Sequence, residues 1–121
     1  MSKSIGFIGG GAMATGIIKG ILSANTLTAE EIYVKELLPE RQVYLKETYG
    51  LQLADSLKEL AEKAKVLVLA VRPQDAEKAA KELSEVITQD HVLVSICAGI
   101  KIEKLSGWIG EKVTYARIMP N

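Results

Sequence analysis

The residues best suited to chemistry stand near the amino terminus, in Ile5-Gly6-Phe7-Ile8-Gly9-Gly10-Gly11-Ala12-Met13-Ala14, where Gly9-x-Gly11-x-x-Ala14 matches the spacing G-x-G-x-x-G/A. That spacing suits the holding of a diphosphate. Gly9 permits a tight strand-to-helix turn, Gly11 lets a phosphate approach the backbone without a Cβ in the way, and Ala14 lets the helix pack close to the strands. Free N–H groups at the helix start, aided by the positive end of the helix dipole, then face the anion without help from a lysine. No G-K-[ST] follows the glycines, which argues against a triphosphatase loop. Glu36 closes the next strand-like segment about 20 residues on, where such a fold places an acceptor for a ribose 2′-hydroxyl. A glycine turn can also arise for packing alone, but the strand before it, the helix after it and the acid beyond favour dinucleotide binding.

Other reactive side chains are few. Cys97 is the one cysteine and His91 the one histidine, so neither an internal disulfide nor a thiolate or His-based metal site is expected. Cys97 has no base near it in sequence and reads as a small buried apolar side chain rather than a nucleophile. His91, after Asp90, reads as a polar residue opening a strand, and the charged run 75–82 as a solvated helix face.

The elements that must position these residues are legible in the hydrophobic pattern. Residues 5–8, 66–71 and 92–97 are near-continuous apolar runs, the last broken only by Ser95, as expected of parallel strands covered on both faces. Weaker strands are predicted at 32–35, 51–53 and 113–118. Helical patterns occupy 11–22, 39–48, 56–64, 73–87 and 102–108, with a capping box in Ser56-Leu57-Lys58-Glu59 and Pro39 and Pro73 in first turns. Strand and helix alternate throughout. The predicted fold is therefore α/β, a Rossmann-type doubly wound, mainly parallel sheet with helices on both faces. In such a sheet a ligand lies outside the carboxyl ends of the strands at the switch point, which places Ala70-Val71-Arg72-Pro73 and Cys97-Ala98-Gly99 beside residues 9–13.

With 121 residues the chain is one domain, without an internal repeat, linker or low-complexity tract. Fifteen basic residues balance fifteen acidic ones, so net charge gives no reason to expect nucleic acid or an anionic membrane as partner. No run approaches the roughly 20 apolar residues of a membrane helix, and Met1-Ser2-Lys3-Ser4 leads straight into a strand without a signal-peptide core. The sparse cysteine usage adds to a cytoplasmic expectation.

Four segments in order, Gly6-Phe7-Ile8-Gly9-x-Gly11-x-Met13-Ala14, Ala70-Val71-Arg72-Pro73-Gln74, Ser95-x-x-Ala98-Gly99-Ile100 and Arg117-x-Met119-Pro120-Asn121, resemble pyrroline-5-carboxylate reductases across essentially the whole chain. The resemblance implies the last step of proline synthesis, hydride transfer from NADPH or NADH to the C=N carbon of 1-pyrroline-5-carboxylate, giving L-proline. It implies coenzyme contacts at Ile8, Gly9, Gly10, Gly11, Ala12 and Met13, at Ala70, Val71, Arg72 and Pro73, at Ala98 and at Ser56, with Glu36 at the adenosine ribose. It implies a homo-oligomer for a full-length enzyme.

Three features depart from the family. Ala12 stands where Asn or Gln is common, leaving the backbone to carry that phosphate contact. Glu36 favours a ribose 2′-hydroxyl and hence NAD, while Lys35 and Arg41 nearby offer to accommodate a 2′-phosphate, so the sequence leaves the coenzyme as NADP or NAD. The helical domain that gives the family its dimer and most of its substrate pocket has no counterpart in these 121 residues. Catalytic residues are thus expected in that domain, and these residues are expected to bind dinucleotide with little turnover of their own. Rival readings are a reductase of the hydroxyacid dehydrogenase type, against which Met119-Pro120-Asn121 argues, a non-catalytic NAD(P)-binding redox sensor, and an adenosyl-methionine site on a similar glycine loop.

Overall fold

A computed structural model describes residues 4–118, and the Met119-Pro120-Asn121 segment lies outside them. Six parallel strands, β1 (Ile5–Ile8), β2 (Ile32–Lys35), β3 (Gln52–Leu53), β4 (Val66–Leu69), β5 (Val92–Ser95) and β6 (Thr114–Arg117), form one sheet in the order β3-β2-β1-β4-β5-β6. That is the doubly wound order, with the switch point between β1 and β4. Five α-helices connect them: α1 (Ala12–Ser23), α2 (Pro39–Tyr49), α3 (Leu57–Lys63), α4 (Ala76–Leu83) and α5 (Ile102–Ile109).

The near-continuous apolar strands are explained by two cores. On one face Phe7, Val34 and Val68 pack with Ala14 and Ile18 of α1 and Leu45 of α2. On the other, Ile8, Leu67, Leu69 and Leu93 pack with Leu60 of α3, Leu83 of α4 and Leu105 of α5. Burying each such side chain contributes about 1.5–3 kcal/mol, which fixes the register of the ladder. Lys35, Ile8, Leu69, Ser95 and Arg117 consequently stand in one row across the sheet, and the loops that follow all open on one rim.

Several predicted boundaries shift for identifiable reasons. β4 and β5 stop two residues before the expected 71 and 97, because after Ala70 N and Ile96 N donate to Ile8 O and Leu69 O the chain leaves the ladder for the rim. The single helix expected over 73–87 is a 3-10 turn at Pro73–Asp75 followed by α4, which ends at Leu83. There the Ser84 hydroxyl donates to Lys81 O and Lys112 Nζ donates to Ser84 O, taking carbonyls that a longer helix would need. Gly11 is the N-cap of α1 rather than its first residue. The capping box is displaced by one position. Ser56 Oγ accepts from Glu59 N at 3.1 Å, but the Glu59 carboxylate accepts from Asp55 N, not from Ser56 N.

His91 is more than a polar residue opening β5. It is 4% exposed; Thr88 N donates to its Nδ1 at 2.9 Å and its Nε2 donates to Ala61 O at 2.7 Å, so the turn before β5 is fastened to α3. His91→Ala strands a buried carbonyl and a turn N–H and is expected to lower the unfolding free energy by about 2–3 kcal/mol, measured by urea denaturation. A change below about 0.5 kcal/mol would show that the fastening contributes nothing.

Candidate functional site

The three consecutive glycines after β1 meet three different surroundings. Gly9 has φ 98°, a backbone conformation that side chains rarely adopt, and a Cβ on it would lie 2.8 Å from Ala70 O. Its own N–H donates to Lys35 O at 2.9 Å, so the turn is tied to β2 on one side and pressed against the end of β4 on the other. Gly10 is buried, and a Cβ there would lie 2.5 Å from Leu45 Cδ1 and 3.2 Å from Glu36 Oε1. Around Gly11 nothing lies within 4 Å of the corresponding position. The backbone itself requires glycine at 9, a Cβ at 10 would press on the Leu45 side chain and Glu36, and at 11 the packing of the chain makes no such demand.

Gly10 has both its backbone N–H and its carbonyl held by charged side chains from the segment after β2. Glu36 Oε1 accepts from Gly10 N at 2.7 Å while Oε2 accepts from Leu38 N at 2.9 Å. The Arg41 guanidinium donates to Gly10 O from Nε at 3.1 Å and Nη2 at 2.7 Å, reaches Thr15 Oγ1 at 2.9 Å, and lies 4.7 Å above the Tyr44 ring. Gln42 Nε2 donates to Glu36 O at 2.6 Å. Charge-assisted bonds of this kind are roughly twice as strong as neutral ones, so the turn is held rigidly before any ligand arrives.

At the start of α1, Thr15 N makes the first helical bond to Gly11 O, which leaves the amides of Ala12, Met13 and Ala14 without helical acceptors. No side chain caps them, and Gly11, Ala12 and Met13 are exposed. The result is a set of backbone donors at the positive end of a 12-residue helix, approachable across Gly11. Ala12 adds no polar group, so any anion here is held by the backbone.

The rim extends from this turn in both directions. Toward β5, the loop 70–73 abuts Gly9, and Cys97 Sγ donates to Val71 O at 3.2 Å, joining that loop to the one carrying exposed Ala98. Burial pushes the Cys97 thiol pKa up, partly opposed by its hydrogen bond to Ser95, so the side chain stays a thiol, as the sequence implies. Arg72 turns outward to Asp75 at 2.9 Å. Toward β3, a cleft of about 130 Å³ lies between the ends of β2 and β3, lined among others by Lys35, Glu36, Gln42 and Asp55. Ser56, next to Asp55, uses its hydroxyl to cap α3. From the loop after β3 to the loop after β5 is four strand spacings, about 19 Å at about 4.8 Å each. Ser56 and Ala98 therefore occupy opposite ends of one rim.

A wider surface depression of about 560 Å³ runs along α4 between Gln74 and Glu85. It is the solvated charged face that the sequence implies, with Lys81 paired to Glu77 at 2.6 Å. The sequence does not reveal that Thr15 and Arg41 hold the turn, or that Gly10 is its most tightly packed residue. The only signal for Arg41 is a cation five positions after the acid, and it reads equally as a partner for a ligand. Among the described residues no group of three or more His, Cys, Asp or Glu is placed to hold a metal, and no helix is long and apolar enough to cross a membrane.

Residues 4–99 match the model of a family described as NADP oxidoreductase, coenzyme F420-dependent. Pyrroline-5-carboxylate reductase 2 of Bacillus subtilis is 34% identical over 120 residues, covering 98% of this chain and 43% of that protein. Among solved structures, a pyrroline-5-carboxylate reductase from Coxiella burnetii superposes with a TM-score of 0.91 at 29% identity over 100% of this chain and 45% of its own. The Plasmodium falciparum pyrroline carboxylate reductase, solved with NADP bound, gives 0.84 at 28% identity over 98% and 42%. The chain thus spans less than half the length of these relatives.

Two stability measurements check the site as built. Gly9→Ala is expected to cost about 2–4 kcal/mol in urea unfolding, from backbone strain plus the clash with Ala70, whereas Gly11→Val should stay within about 1 kcal/mol of the parent. Equal costs would contradict the packing described. Because the raised Cys97 pKa favours the neutral thiol in the fold, its contribution is complete below the unfolded thiol's pKa near 9.0 and is lost as pH rises through the folded value. Stability should accordingly fall above about pH 9, and less steeply in Cys97→Ala.

Proposed function

Since the chain belongs to the NADP oxidoreductase, coenzyme F420-dependent family, we propose that it is the coenzyme-binding part of a pyrroline-5-carboxylate reductase of proline biosynthesis. The observation that carries this reading is the uncapped start of α1 beside the open face of Gly11. A pyrophosphate accepts from the amides of Ala12 and Met13, and Gly9, Gly10 and Ile8 hold those amides in place. The adenosine lies in the cleft at Glu36, with Ser56 beside it. The nicotinamide lies against Ala70, Val71, Arg72, Pro73 and Ala98. These assignments follow the switch-point rule and the aligned rim.

When bound, the coenzyme supplies a hydride for the C=N carbon of 1-pyrroline-5-carboxylate, giving L-proline. The residues of this chain contribute binding and orientation: backbone donors fix the phosphates, and the apolar loop after β4 keeps one side of the ring dry. The acceptor's site and the contacts of a homo-oligomer belong, in this proposal, to a helical domain such as the longer relatives have room for. Hydride delivery therefore requires that domain.

Calorimetric titration of the 121-residue chain with NADH and NADPH tests the first part. Saturable 1:1 binding of at least one coenzyme is expected, with a loss of at least about tenfold in affinity in Gly11→Val, whose fold is retained. Failure of both coenzymes to bind would sink the proposal. Addition of pyrroline-5-carboxylate and NAD(P)H should give no appreciable oxidation of the coenzyme, and rapid turnover would refute the assignment of the acceptor's site to another domain.

A further inference from the structure

The sequence leaves the choice between NADP and NAD open, because an acid and two cations cluster after β2. The structure separates their roles. Resting on the dinucleotide reading above, we propose that this chain selects the coenzyme with a free ribose 2′-hydroxyl, NADH, against its 2′-phosphorylated counterpart, and that Glu36 is the specificity-determining residue. A carboxylate alone would not select, since an unrestrained glutamate would swing aside from a phosphate. Glu36 is restrained. Its Oε1 is the acceptor for Gly10 N–H at 2.7 Å and its Oε2 for Leu38 N–H at 2.9 Å. Gly10 is buried, so moving the carboxylate away strands a buried donor in the glycine turn that must receive the pyrophosphate.

Being so held does not use up the carboxylate. Its two oxygens offer about four acceptor positions, of which the two backbone N–H groups take two, and Glu36 lines the cleft between β2 and β3. Ribose hydroxyls can therefore donate to it without displacing either amide.

The cation that would compensate a 2′-phosphate is restrained too. Arg41 donates to Gly10 O through two nitrogens and to Thr15 Oγ1, and lies against Tyr44. Turning it toward the cleft would unpair the carbonyl of Gly10, the residue whose N–H Glu36 holds. What faces the cleft is then Lys35 against two carboxylates, Glu36 and Asp55, among the described lining residues. A phosphomonoester brings about −1.5 to −2 further charges at pH 7. Because neither Glu36 nor Arg41 can rearrange without damaging the turn, the repulsion stays.

Dissociation constants for NADH and NADPH, measured by calorimetry at low and at physiological salt, decide the matter. NADH is expected to bind at least about tenfold more tightly at about 0.01 M salt, and the ratio should narrow at about 0.15 M, where the screening length drops from about 30 Å to about 8 Å. Glu36→Gln keeps an acceptor for Gly10 N–H while removing the charge, and should bring the ratio to within about threefold, with folding confirmed by thermal unfolding. NADPH binding as tightly as or more tightly than NADH to the parent chain would overturn the inference while leaving the site's reading intact. Binding of neither would overturn both. A ratio unchanged in folded Glu36→Gln would overturn the role given to Glu36. Should that variant not fold, the parent's ratio and its salt dependence decide alone.

Discussion

The structure depends on a reversal of direction after Ile8 whose first residue, Gly9, leaves no room for a side chain. The backbone must leave β1, pass the end of β4 and start α1 while touching β2, with a Cβ excluded by backbone at Gly9 and crowded by the Leu45 side chain at Gly10. Buried Gly10 is left with an N–H and a carbonyl that both need partners away from water. Glu36 supplies the first and Arg41 the second. A constraint of backbone geometry thereby becomes an electrostatic one, and it decides where the segment after β2 must lie.

Everything else at the rim follows from a ladder in strict register. Two apolar faces hold the strands so that their ends align, and the alignment turns short loops, distant in sequence, into neighbours. Cys97 shows how little is then needed to fix one loop to the next: a buried thiol bonded to Val71 O joins the loops after β4 and β5. Its raised pKa is a by-product of that burial.

Much of this was legible from residue order. The apolar runs, the alternation with helical patterns and the glycine spacing each reflect local steric or solvation requirements, and such requirements leave periodic or positional marks. The place of Glu36 directly after β2 was legible for the same reason, though its bonds to Gly10 and Leu38 were not. What left no mark was hydrogen bonding over long separations. Nothing near Arg41 shows that it reaches Gly10 rather than a ligand, and nothing around His91 shows that it fastens Ala61. The early end of α4 was hidden for a related reason, because the carbonyls that stop it are taken by Ser84 and by the distant Lys112.

The empty space beside Gly11 has a consequence for how such a chain ages over generations. Drift at Gly9 or Gly10 announces itself through poor folding, and cellular proteolysis removes the product. A side chain at Gly11 meets no neighbour within 4 Å, so packing exacts little for the change. In the coenzyme-binding reading proposed above, binding alone registers such a change, so this position answers to the ligand while its two neighbours answer to the fold.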